Sequence, residues 1–595
     1  MTSSQDAASH AAPEAAPASG PIALEDGAAH SRADWESSAA AVLRKAGRLG
    51  ADDPDAAVWD KLTRTTLDGI EITPLGTAGL LDDLATSGRP NRQVAWEITA
   101  HVADPDAAAS AADVRTDLDN GATALWVQLG AGGIAVQDLP TVLDGVLLDV
   151  APVALESDDP VAAAEAFAAL ATGTTLAGGT TLGADPLGAQ LLGRDADLAQ
   201  TAEVARIATD LGCGALVVDG TAAHDLGASD AQELGWSLAV GAAYLRALVD
   251  AGYDVSTAAG LISFRYAATD EQFPTIAKLR AARRGWDRVL ELSGVPAEAR
   301  LQYQHVVTSR PMMSKYDPWV NMLRTCVAAF AAGVGGADSV TVLPFDAHLG
   351  LPDAFSRRVA RNTSSLLVHE SHLAKVADPA GGAYAVEKLT DDLARSGWAE
   401  LGAIEEAGGA LAAIDGFRER IAGVVLEREG QIARRKRPLT GLSEFPNLHE
   451  TLPERKPYAA GARPVRPYGH EFEALRDEPA AGKVFLATLG TVAAHTSRAT
   501  FASNLFAAGG IDVEVAGATD GAEALAARYE GQPVVCLTGS DAAYAEWGVE
   551  AATALRAKGA AWVVIAGKAT DYADDHCALG IDALAFLRRT REKLA

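Results

Sequence analysis

The chain is 595 residues long, 48% hydrophobic, and carries a formal net charge of −29. That length exceeds a single core and predicts two or three domains. The charge argues against a nucleic-acid partner, which wants clustered Lys and Arg, and no apolar run is long and charge-free enough to span a bilayer, so no membrane role is expected.

Residues 1–34 are rich in Ala, Ser, Pro and acidic side chains. Nothing there could build a core, so this arm is expected to be disordered alone and able to wrap a partner subunit. It lacks a basic stretch leading into an apolar run, the mark of a secretory signal. Helical patterning starts at Asp34-Trp35, with Trp59 and Leu62 as apolar anchors. The four cysteines, Cys213, Cys326, Cys536 and Cys577, are far apart and form no CxxC. Cys326 and Cys536 sit in patterns that predict buried free thiols, and this usage fits a reducing, cytoplasmic location.

Eight short apolar runs come next, at 92–99, 122–129, 145–151, 174–178, 215–220, 261–266, 300–308 and 338–345. Runs of this kind suit parallel strands buried on both faces. Helical stretches separate them at 106–118, 159–172, 197–211, 230–250, 271–293 and 315–332, several opening on a capping Asp or Ser. Eight strands with intervening helices predict an α/β fold, a (β/α)8 TIM barrel, over the opposing possibility of an open doubly wound sheet. The barrel and its flanking helices are placed at 35–430, with late helices at 390–405 and 410–429. Residues 431–480 read as a Pro-rich extended linker, edged by the basic cluster Arg434-Arg435-Lys436-Arg437.

From 481 to 595 the pattern predicts a flavodoxin-like doubly wound domain, with strands at 483–489, 512–516, 533–537 and 562–566 and a fifth that is short or absent. A loop at 491–498 carries His495. His369 and His372 stand at HxxH spacing without a third ligand, so no metal site is expected there.

Several segments resemble the methylmalonyl-CoA mutase family of adenosylcobalamin-dependent enzymes. Asp378-Pro379-Ala380-Gly381-Gly382-Ala383-Tyr384-Ala385-Val386-Glu387-Lys388-Leu389-Thr390 is similar to a family segment of the form D-P-x-G-G-S-Y-Y-V-E-x-L-T. Asn321-Met322-Leu323-Arg324-Thr325 looks like its N-x-x-R-T helix, and Phe355 to Thr363, Ala277 to Arg283 and Asp68 to Leu75 also match. Barrel, linker and flavodoxin-like domain follow one another in that family too. The resemblance implies an acyl-CoA isomerase whose radical chemistry belongs to the cofactor, while protein groups bind and orient.

The positions that would carry this chemistry depart from the family pattern. A family Tyr after Arg-Gln at the first barrel strand is Val94 here, following Arg92-Gln93. A family His in the segment G-Y-H-M-Q-E-A-G-A aligns with Ala222, and His224 falls two residues later. The cobalt-binding loop Asp-x-His-x-x-Gly retains His495 but has Ala493 and Arg498 in place of its Asp and Gly. A metal-bound imidazole normally leans on an acidic neighbour, and Arg498 would crowd the nucleotide tail. Tyr544 and Trp547 add bulk near Gly539-Ser540-Asp541 and Gly567-Lys568, which suggests a filled pocket.

The resemblance therefore implies a chain with no catalytic residue and no confident cofactor residue, His495 being a weak candidate and otherwise a solvent-exposed loop histidine. It would be the non-catalytic small chain of a two-chain mutase interconverting methylmalonyl-CoA and succinyl-CoA in propionate metabolism. Its partner would be a homologous large (alpha) catalytic subunit that binds adenosylcobalamin. Two alternatives stay open: an active cobalamin-dependent acyl-CoA mutase of altered specificity using His495 and His224, and a stand-alone acyl-CoA-binding regulatory protein.

Overall fold

The computed structural model describes residues 30–82, 84 and 95–595. Most of the N-terminal arm and the Arg92-Gln93-Val94 segment lie outside the described residues. The chain divides into two compact units, 1–64 and 65–595. In the first, helix α1 (Arg32–Lys45) opens on a reciprocal capping box between Ser31 and Asp34. It forms a small core of Ala40, Leu43, Leu49 and Val58, and Trp35 meets Trp59 with ring centroids 4.7 Å apart.

The second unit holds two sheets. Strands β1 (Glu97–Val102), β2 (Ala124–Leu129), β3 (Val153–Ser157), β4 (Thr181–Ala184), β5 (Gly214–Asp219), β6 (Ile262–Ala268), β7 (Gln304–Thr308) and β8 (Ser339–Thr341) form a closed barrel. All neighbours run parallel, and β8 returns to β1 with Ser339 opposite Glu97. The principal helices of this part are α2 (Ala107–Asp119), α3 (Pro160–Leu170), α4 (Gln200–Leu211), a short α5 (Thr221–Asp225), α6 (Asp230–Asp250), α7 (Gln272–Leu292), α8 (Pro318–Val334), α9 (Ala354–Ser365), α10 (Tyr384–Glu406) and α11 (Ile414–Ala433).

Two strands lie later than the apolar runs suggested. Residues 145–151 form turns, with Leu147 and Val150 exposed. The strand begins after Pro152, whose carbonyl accepts a hydrogen bond from Leu125 N. Likewise 174–178 is loop, and β4 follows the turn at Gly179. Strand β4 carries a glycine where its backbone runs close to β3: at Gly183, with φ +71°, an added Cβ would sit 1.8 Å from the Leu155 carbonyl oxygen.

The linker region is more ordered than its composition implied. It contains helix α12 (His470–Asp477). Upstream of that helix it crosses the C-terminal ends of the barrel strands. Arg455 pairs with Asp346 and Asp353 beyond β8, and Lys456 reaches Asp104 beyond β1 at 2.8 Å. Arg463 reaches Asp219 at the end of β5, and Tyr468 N donates to the Pro311 carbonyl beyond β7 at 2.8 Å.

The C-terminal sheet consists of β9 (Val484–Thr488), β10 (Val513–Val515), β11 (Val534–Thr538), β12 (Trp562–Ala566) and β13 (Asp575–Cys577), in the order β10-β9-β11-β12-β13. This parallel 2-1-3-4-5 order is that of flavodoxin-like folds. The fifth strand is present and short. Helices α13 (Val492–Ala508), α14 (Ala522–Ala527), α15 (Asp541–Ala557) and α16 (Ala583–Leu594) flank the sheet, which is buried on both faces by separate apolar clusters. Among the cysteines, Cys536 and Cys577 are buried, whereas Cys326 is exposed on the outer face of α8, contrary to expectation.

Candidate functional site

In both folds ligands bind at the C-terminal ends of the strands. The barrel end of this chain is filled by its own side chains. Arg265, in the middle of β6, turns into the bore and lies over the Trp126 ring of β2, 4.2 Å from its centroid. It donates to Glu156 of β3 at 2.8 Å, to Asp219 of β5 at 3.2 Å and to His305 Nδ1 of β7 at 3.3 Å. His101 of β1 packs tilted against Trp126, with ring centroids 4.2 Å apart, and His305 Nε2 lies 2.8 Å from Thr341 Oγ1 of β8. Seven of the eight strands thus contribute to one plug, β4 being the exception.

The linker completes it. Arg463 is 7% exposed and donates to Asp219 at 2.9 Å, with Asp225 3.1 Å from its Nε. Arg310 reaches Asp225 from the β7 side at 3.1 Å. Burial alone would raise the Asp219 carboxyl, but Arg463 and Arg265 hold it well below the usual carboxylate range. Burial and then Asp219's charge push neighbouring Asp185 up to about 7, where it accepts a hydrogen bond from the Tyr244 hydroxyl at 2.6 Å. Burial, followed by repulsion from Arg310, Arg357 and Arg265, lowers His101 to about 3, so its ring is neutral. Below Arg265 a void of about 20 Å³ remains, room for a water or two and not for an acyl thioester.

Ala222 and His224 lie on α5, a helical turn where the sequence suggested a loop. Ala222 is buried in the apolar core. His224 is buried too: its Nε2 is 2.7 Å from Ser309 Oγ, and its Nδ1 is 3.7 Å from Glu233. Burial first, and then Lys278 and Arg428, keep the ring neutral. Glu233 is committed elsewhere, to Lys278 at 2.6 Å and to Ala267 N at 2.8 Å. His224 is therefore enclosed and presents no nitrogen to the barrel mouth. The Val94 position lies outside the described residues.

At the sheet end, His495 is not on an exposed loop. Helix α13 starts at Val492, so His495 falls in its first turn, and it is 6% exposed with Nδ1 lacking a hydrogen-bond partner. The helix starts early because Thr491 is extended and two alanines, the strongest helix formers, follow Val492. Arg498, two turns into α13, folds across the strand ends. It donates to the Gly539 carbonyl at 2.7 Å, pairs with Asp541, and lies 4.8 Å from the Tyr544 ring centroid. The Tyr544 hydroxyl donates to the Ala566 carbonyl at 2.7 Å and accepts from Gly539 N at 3.1 Å. An atom built out from Gly567 would meet Arg498 and Tyr544 at 3.6 Å, and one from Gly490 would meet Trp547 at 4.0 Å. The crevice between β9, β11 and β12 is thus lined to contact by Arg498, Tyr544 and Trp547. These residues do not fit a corrin with a descending nucleotide tail, and His495 is buried with no carboxylate against its ring among the described residues.

His369 and His372 are both exposed, the first within the wide helical turn Leu366–Glu370 and the second just beyond it, and no group of three or more metal-ligating side chains occurs among the described residues. No described helix is long and apolar enough to cross a membrane. The barrel plug was missed by sequence reading, although it left a signal. Arg265 is the one charged residue in the strand Ile262-Ser263-Phe264-Arg265-Tyr266-Ala267, and Asp219 ends another.

A closed parallel barrel, strapped by a linker to a 2-1-3-4-5 sheet, defines a chain built like a two-domain acyl-CoA isomerase. The family model for methylmalonyl-CoA mutase matches residues 111–508, and the chain belongs to that family. It is 45% identical to the methylmalonyl-CoA mutase small subunit of Streptomyces virginiae, over 94% of this chain and 96% of that one. To the methylmalonyl-CoA mutase small subunit of Propionibacterium freudenreichii subsp. shermanii it is 36% identical, over 91% of this chain and 90% of that one. To the methylmalonyl-CoA mutase of Rhizobium meliloti it is 35% identical, over 38% of this chain and 32% of that one.

Proposed function

We propose that this chain is the non-catalytic small subunit of a heterodimeric methylmalonyl-CoA mutase, acting in the cytoplasm in the interconversion of methylmalonyl-CoA and succinyl-CoA. A homologous large subunit binds adenosylcobalamin and substrate and performs the chemistry. This chain contributes interface and stability. The observation that carries the reading is the double occlusion: the bore holds the Arg265–Asp219–Arg463 network, and the sheet crevice holds the Arg498–Tyr544 stack. Ala222 at the family's His position, with His224 shut inside the core, supports it. The relatives that align along nearly the whole chain are themselves named small subunits.

The domain limits follow the same reading, with a barrel region at 35–430, a strap at 431–480 and a degenerate cofactor-type domain at 481–595. The test is reconstitution. The two chains, purified apart and then mixed with adenosylcobalamin, should isomerise methylmalonyl-CoA only when both are present. Turnover by this chain alone would refute the assignment.

A further inference from the structure

We infer that the outer face of α8, with the adjoining start of α9, is the surface on which the large subunit docks; this rests on the proposed function and adds the location. Barrel helices normally turn charge to water, and α4 does so, exposing Glu203, Arg206, Thr209 and Asp210. Helix α8 does not. Its exposed positions are Trp319, Leu323 and Cys326, flanked by half-buried Met322, Val327 and Phe330. Its one charged residue, Arg324, points inward and is buried on Asn321 and Ser314.

The anchors are held rigid. Trp319 is 51% exposed yet stacks on buried Phe345 at 4.9 Å, and Phe345 meets Phe355 of α9, itself 44% exposed, at 6.1 Å. Large aromatic side chains fixed before contact lose little entropy on binding, and Trp, Phe and Met are enriched at interfaces. A polar rim is present: Arg358 lies over the Phe355 ring at 5.5 Å.

The size fits as well. The part of α8 that faces outward, Trp319 to Phe330, is about 18 Å long, and a neighbour packed about 9 Å away widens the face to roughly 350 Å². That lies within what monomers expose and is a little under half of the ~800 Å² each partner gives to a stable interface. An uncharged face is also where a chain of net charge −29 can meet a partner without bringing its own excess charge into the contact. Homologous chains commonly pair through related surfaces about a twofold axis, which makes the large subunit the occupant.

The test combines side-chain footprinting with affinity, using the two full-length chains. Hydroxyl radicals should label Trp319 and Leu323 in the isolated chain and spare them in the complex. Leu323→Glu should weaken pairing at least 100-fold while leaving the thermal transition of the isolated chain unchanged. Leu426→Glu, at another exposed leucine (70% exposed), should change affinity less than twofold. If the wild-type chains pair and Leu323→Glu pairs equally well, the location is wrong and the proposed function stands. If the wild-type chains never pair, both fall. Protection of Trp319 in the isolated monomer would assign the face to the chain's own N-terminal residues, and a homodimer broken by Leu323→Glu would assign it to a second copy. Either result overturns the inference.

Discussion

The barrel mouth and the sheet crevice are blocked in different ways. The barrel plug is buried and shared among seven strands and the linker, with Glu156, Asp219 and Asp225 each touching an arginine. The crevice plug is one helix side chain, Arg498, laid over one tyrosine and paired with an Asp541 that is 91% exposed. Charges taken out of water depend on their partners, whereas a pair at the surface is screened. The barrel has thus been rebuilt around its occlusion, and the crevice has only been covered.

That contrast breaks most visibly at Arg463. Arg463→Ala removes the linker's cation from Asp219 and Asp225 and should cost about 3–5 kcal/mol, as expected when one partner of a buried ion pair is lost. Urea denaturation followed by tryptophan fluorescence would measure it. A loss below 1 kcal/mol would mean that the plug is not a linked unit.

A smaller effect comes from His101. Folded, its ring stays neutral down to about pH 3; unfolded, it protonates near 6.5. Between those values the unfolded chain binds the extra proton, so acid destabilises the fold. His101→Phe keeps a ring against Trp126 and removes that proton. The stability difference between wild type and variant should shift by about 2 kcal/mol in favour of the variant from pH 7 to pH 5. Parallel pH profiles would show that His101 is not buried neutral.

The smallest effect belongs to the crevice. Arg498→Ala should change stability by less than about 1 kcal/mol, readable as a small shift in the denaturation midpoint. A loss as large as that of Arg463→Ala would erase the distinction between the two regions.

Much of this architecture was legible in the sequence because parallel barrels and doubly wound sheets repeat one pattern of buried runs and capped helices. Registers slipped where the strongest apolar run was not the strand. Leu147 and Val150 lie in exposed turns, while β4, made of Thr, Leu, Gly and Ala, carries its glycine where the backbone behind it leaves no space. At the sites, local motifs told which residue type stood where the family has another, as at Ala222 and Ala493. They could not tell where His224 and His495 point, since burial of both depends on helices that begin within a few residues of each histidine. The Arg265–Asp219–Arg463 network was out of reach for a different reason: its members are 46 and 244 positions apart, and only barrel closure brings them together.

The central claim is that the cofactor belongs to the other chain, and a cobalamin titration of this chain alone tests it most directly. Ultraviolet–visible spectra recorded as purified protein is added to hydroxocobalamin and adenosylcobalamin should show no change, and dialysis should leave no bound corrin. A histidine-ligated, base-off spectrum that disappears in His495→Ala would contradict the account.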